Sequence, residues 1–354
     1  MSDPPMPSSP SSDGTTLSHT SSIGPQWPPE RASYGRIKGI YNVGLLRRSE
    51  DLDGLGNELE QLLKRLEPVV SDRISIRAWV SEALVREPHP QILRWGEAVV
   101  PMTGCGAPWD GTCLVYLGRN AKSRSCDDRD LERSLENVAI AETKGPRSAA
   151  EMIRRVSEGG YALRLPTREQ RLGDVDLLRN MADLYSRFGW EAEEVRAILA
   201  NPNSLIAVAE HEGVPVSAGL AELSCISFAD GNALRIVEFT EAATKSVHRG
   251  RGLYSGIVAT LCRRLVDMSN RQEVLGGELQ LAFGECSGHD LGVLIAAKHL
   301  GRTFSRRVGL EWGLPLAGFL PQHVPIAGAP RSMPYNELFP TFLSHRALVD
   351  FAAS

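Results

Sequence analysis

The densest chemistry in a short span lies at Arg249-Gly250-Arg251-Gly252, between a run that favours extended backbone and a helical run. Leu234, Ile236, Val237, Phe239 and Thr240 define the strand by composition. After the glycines, Leu253, Ile257, Leu261 and Leu265 recur every four residues, with Val258 and Cys262 beside them, and form one apolar face of a helix. The first amides of a helix lack intrahelical acceptors and carry the positive end of its dipole. Glycines let a phosphate approach that backbone closely, and two arginines add charge. A pyrophosphate fits such a turn. The alternative is an ordinary strand–helix turn with solvated arginines, because short glycine-rich motifs often match by chance.

The wider stretch is more specific. Residues 249–254 (Arg-Gly-Arg-Gly-Leu-Tyr) resemble the Gln/Arg-x-x-Gly-x-Gly/Ala loop of the general N-acetyltransferase (GNAT) superfamily, which cradles the pyrophosphate of acetyl-CoA. Tyr254 departs from the small residue at the last position. Glu238, Thr240, Glu241, Ala243 and Thr244 fall in step with one branch, the bacterial β-lysine N6-acetyltransferases. The closing run from Leu320 to Gly328, followed by Ser332-Met333, resembles the end of that branch, with Arg331 standing where its pattern has Glu. The resemblance covers residues 160 to 335, and 37 to 118 loosely.

Composition sets the limits. The chain has 354 residues, a formal net charge of -4 and ordinary apolar and charged fractions, enough for two cores. That charge argues against a mainly electrostatic nucleic-acid binder. No apolar run of about 18 residues predicts a membrane span, and no basic-then-apolar start predicts a secretory signal. The six cysteines form no Cys-x-x-Cys pair, so no metal site is expected and free thiols in the cytoplasm are the reading.

The expected fold class is α/β: a GNAT-type mixed central sheet flanked by helices, preceded by a smaller α/β, partial GNAT-like domain. Residues 1–30, rich in Ser and Pro, are expected to be a disordered tail. Residues 31–118 form the small domain, with strands at 40–46, 71–79, 93–100 and 112–117 and a helix at 52–66. A helical connector follows at 119–159. The acetyltransferase domain spans 160–335, in the order strand, two helices, three strands, loop-helix, strand, helix, strand. Residues 336–354 are expected to be a C-terminal tail.

The resemblance implies a transfer from acetyl-CoA to a primary amine of a small molecule, with a lysine-like amino acid one candidate. Such an amine is neutral in only about one molecule in 2,500 at pH 7, so a carboxylate must take its proton. Glu238 and Glu241 lie on the strand beside the thioester, and Glu238 is preferred. In an ideal strand the two point to opposite faces unless a bulge intervenes. The cofactor-binding set is Ala243, Thr244, Arg249, Gly250, Arg251, Gly252, Leu253, Tyr254 and Ser255. Arg331 is the candidate acceptor contact, and an arginine there favours an acidic acceptor over a diamine. The family's tyrosine acid falls on Ala297, which leaves Tyr254, His289 and His299 as substitutes. Three alternatives stay open: a non-catalytic acyl-CoA-binding scaffold, a different acyl group, and a peptide acceptor. Self-association is also open.

Overall fold

The computed structural model describes residues 38–66, 73–120, 128–186, 190–227, 231–316, 318, 320–325 and 335–354. The expected tail at 1–30, Cys126 and Arg331 lie outside them. The N-terminal unit runs β1 (Lys38–Leu46), α1 (Ser49–Leu66), β2 (Arg73–Ser81), α2 (Ala83–Arg86), α3 (Pro90–Trp95), β3 (Gly96–Pro101) and β4 (Thr112–Asn120). Its sheet has the order β1-β2-β4-β3, parallel between β1 and β2 and antiparallel elsewhere. Leu52, Leu55 and Leu59, spaced three and four apart on α1, are buried in one core with Ile76, Ala78 and Val115. Residues 93–95, expected in a strand, instead end α3. Pro90 suits the first helical turn, and the His89 ring nitrogen accepts from the Gln91 amide, so the strand begins only at Gly96.

α4 (Asp128–Glu142) and α5 (Ala149–Glu158) connect the halves. The second half runs β5 (Ala162–Arg164), α6 (Arg168–Gly173), α7 (Val175–Ser186), α8 (Ala192–Ala200), β6 (Ser204–His211), β7 (Val214–Ser227) and β8 (Ala233–Thr244). It continues through α9 (Leu253–Asn270), β9 (Leu281–Ser287), α10 (Leu291–His299), β10 (Thr303–Phe304), α11 (Ser305–Glu311), β11 (Leu320–Pro325), β12 (Tyr335–Ser344) and α12 (His345–Ala353). Through α10 this is the expected order with α6 added, opened by a reciprocal Thr167–Gln170 capping box. Asp174 caps α7, accepting from the Leu177 amide at 2.8 Å. Residues 336–354 are not a tail. β12 pairs with β9 from Leu338 to Ser344, and Leu348 and Phe351 of α12 join the core of α9. Pro340, which argues against a strand in sequence, falls in the gap between the stretches of β12 that pair with β11 and β10.

The main sheet has the order β10-β12-β9-β8-β7-β6-β5, with β11 also on β12. β8 and β9 are its parallel pair, joined only where Ile236–Glu238 faces Leu281–Phe283, and beyond that they diverge. β8 stays paired with β7, but Glu241 and Ala242 together oppose Gly219, which makes a β-bulge. One face of the sheet, with Val237 and Phe239, packs on α5, α9 and α12. On the other face Ala218, Leu220 and Ala243 meet α7 and α8. The N-terminal sheet packs on another part of that second face: Trp79, Val100, Leu114 and Tyr116 share a core with Ile226, Leu234, Ile236 and Phe283. A mixed sheet flanked by helices, preceded by a smaller α/β unit, is the fold found.

Candidate active site

Strand, turn and helix converge where β8 leaves the sheet. After a short 3-10 turn at Ser246–His248, the backbone is left-handed at Gly250 (φ 74°) and at Gly252 (φ 73°), the residue before α9. Only glycine adopts that conformation without steric cost. The helix's own bonding starts with the Gly256 amide on the Gly252 carbonyl, and no side chain caps the turn before it. The amides of Leu253, Tyr254 and Ser255 are therefore the ones presented to a ligand. At Gly256 the helix comes so close to α5 that an added Cβ would stand 2.5 Å from Val156 Cγ2.

A cavity of about 500 Å³ opens in front of these amides. Thr244 and every residue from Arg249 to Ser255 line it, with Asp290, Val293, Ala296 and His299 from the α10 side and Arg147, Met152 and Arg155 from the α5 side. Four arginines against one aspartate give a positive lining suited to phosphates. Burial, followed by Arg147 and Arg155, lowers the His299 pKa. Burial raises that of the Tyr254 phenol, which stays protonated at neutral pH. Ala243 does not join this wall. It is buried with Leu220 and Tyr185 under α7 and α8, because the bulge turns it to the other face.

The carboxylates gather on the opposite face. Glu238 is opposite Glu222 across the β7–β8 pair, so their side chains are neighbours on one face. Arg77 of β2 reaches this face from the N-terminal sheet: its Nη2 is 3.4 Å from Glu238 Oε2 and 3.0 Å from Glu285 Oε1. The guanidinium lies over the Phe283 and Tyr116 rings at 5.0 and 5.6 Å. Its pKa is raised despite burial, chiefly by Glu238. Burial first, and then Glu238, push the Glu222 carboxyl up to about 7.

Of the sequence candidates, Thr244 and Arg249–Ser255 meet at the cavity, while Glu238 faces the carboxylate cluster. Glu241 sits in the bulge, and its side chain is outside those described. Ala297, at the family's tyrosine position, is buried against Val138 and Phe304 rather than in the cavity. Arg77, Glu222 and Glu285 were not among the candidates. Glu222 had a legible signal, being the one charged residue between Val216 and Ser227. Arg77 reads as a solvent-facing strand position.

No family model and no curated protein matches the chain. Solved structures are similar over about half of it. Arabidopsis thaliana NAA60 in complex with acetyl-CoA is 11% identical, with 52% of this chain and 98% of that one covered and a TM-score of 0.37. The ribosomal-protein-S18-alanine N-acetyltransferase from Escherichia coli is 9% identical, with 52% and 93% covered and a TM-score of 0.36. The putative acetyltransferase yncA from Salmonella typhimurium, with its cofactor acetyl-CoA, is 16% identical, with 52% and 94% covered and a TM-score of 0.34.

Proposed function

We propose that the chain is an acyl-CoA-dependent N-acyltransferase that acts on a primary amine of a small molecule, with acetyl-CoA the donor its sequence resemblance implies. The observation that carries this reading is the left-handed glycine turn and uncapped α9 start, set at the mouth of an arginine-lined cavity beside the splay of β8 and β9. A pyrophosphate would accept from the amides of Leu253 to Ser255, with Arg249 and Arg251 beside it. Past the splay, β8 and β9 are not paired with each other, so an extended arm with amide groups can bond in strand fashion there.

The donor supplies an activated thioester; this chain's residues do the rest. The amine approaches from the face that carries Glu238 and Glu222, where carboxylates of that pair accept its proton. Arg77 fixes Glu238 between the two sheets, and Glu222, with a pKa of about 7, can hold a proton at neutral pH. The leaving thiolate takes its proton from solvent, and the Tyr254 phenol, kept protonated by burial on the cavity side, can donate a hydrogen bond to the sulfur. The thioester C–S bond breaks as the amide C–N bond forms, so protons and charge balance. Much of the acceleration comes from holding both substrates on one strand end. Lysine-like acceptors, and a selecting role for Arg331, belong to this proposal.

The test is a mass-spectrometric screen of small amines, amino acids and peptides with acetyl-CoA. Acylation of a small amine supports the reading. Turnover of peptides alone would replace the acceptor class, and turnover of none with any acyl-CoA would leave a binding protein.

A further inference from the structure

Arg302 is a buried charge for which the transfer chemistry above has no use. It follows α10 and is 1% exposed, with its guanidinium 4.5 Å over the Phe239 ring. Nη1 donates to Thr341 Oγ1 at 3.3 Å, while Nε and Nη2 have no partner among the described residues. No carboxylate among the described residues pairs with it. Its place is the apex of the splay. Phe239 and Gly284 are the first residues past the paired stretch of β8 and β9. A Cβ on Gly284 would stand 2.7 Å from Arg302 Nη1 and 2.9 Å from the Phe239 carbonyl oxygen, so the glycine is what admits the guanidinium.

A buried guanidinium without an anion is costly, and Nε with Nη2 is the edge that meets a carboxylate through two parallel bonds. Phe239 shares a core with Leu253 and Ile257 of α9, on the face opposite Glu238 and Glu222. A carboxylate at Arg302 therefore arrives with the donor rather than with the amine. Resting on the acyl-CoA reading, we infer that the donor is the CoA thioester of a dicarboxylic acid, its distal carboxylate held by Nε and Nη2 of Arg302. The transfer is balanced as before: C–S breaks, C–N forms, the amine loses a proton, the thiolate gains one, and the distal carboxylate is unchanged.

Calorimetric titration of the full chain with CoA, acetyl-CoA, malonyl-CoA, succinyl-CoA and glutaryl-CoA tests this. One of the three carboxylated donors is expected to bind roughly tenfold or more tightly than acetyl-CoA. Arg302→Met is expected to lose that preference and keep its affinity for CoA. If all carboxylated donors bind no better than acetyl-CoA, the proposal falls while the acyl-CoA reading stands. If CoA and all its thioesters fail to bind, the reading of the glycine turn falls too. Should Arg302→Met not fold, the wild-type ranking decides alone.

Discussion

Glu222 changes charge near neutral pH, and that has a measurable sign. Its folded pKa of about 7 lies above the carboxylate reference of 4.5, so the native state holds the proton more tightly than the unfolded chain does. The stabilising effect of the proton is complete below about pH 4.5 and is lost as pH rises to about 7. Glu222→Gln removes this dependence. Relative to wild type, the variant is expected to gain up to about 3 kcal/mol between pH 5 and pH 8 in urea unfolding. Parallel pH profiles would contradict the assignment. Glu238 carries a kinetic expectation: Glu238→Gln lowers kcat by about 10²-fold with donor affinity nearly unchanged, because the lost step is proton removal. Steady-state kinetics with the best amine from the screen checks it, and an undiminished kcat transfers the role to Glu222 or Glu241.

Among the elements, the β8–turn–α9 unit does the most and was the most legible. Leu253, Ile257, Val258, Leu261, Cys262 and Leu265 are all buried, as their spacing required. Gly250 and Gly252 are left-handed, which their type allowed but did not prove. Gly252→Asp adds strain and a negative charge at the anion site, so the thermal shift caused by acetyl-CoA is expected to vanish while the protein stays folded. Gly256→Val drives a side chain into Val156 and is expected to cost roughly 1–3 kcal/mol in denaturant unfolding, partly recovered by Val156→Ala. What the sequence concealed has physical reasons. The bulge at Glu241–Ala242 is a matter of register with β7, and no local pattern encodes a partner strand's register. β12 was concealed by Pro340, whose tolerance depends on where the neighbouring strands stop. Arg77 is not legible as a site residue because alternation shows which residues share a face, not what covers that face.

Taken whole, the molecule is two sheets sharing a core, with a salt-bridged arginine inside the seam. The seam has a second polar link: the Ser305 hydroxyl donates to the Val99 carbonyl at 2.6 Å and accepts from the Val99 amide at 2.8 Å. Removing one member of a buried ion network leaves the others charged without that partner. Arg77→Met is therefore expected to cost about 3–5 kcal/mol in equilibrium unfolding, and Arg77→Met with Glu238→Gln and Glu285→Gln less than that. A cost below about 1 kcal/mol for Arg77→Met would show that the ion network does not hold the seam.

The same seam sets a timetable for synthesis. Arg77 and Glu285 are 208 residues apart in the chain. At about 5–20 residues per second, the arginine leaves the ribosome roughly 10–40 s before that carboxylate exists. Through that interval the nascent N-terminal sheet shows water the face that later carries Trp79, Val100, Leu114 and Tyr116 into the shared core. A face of that kind is a natural client for a holdase, and the remedy is the chain's own second half. Residues 38–120 expressed alone are expected to aggregate, and co-expression of residues 128–354 as a separate polypeptide is expected to keep them soluble.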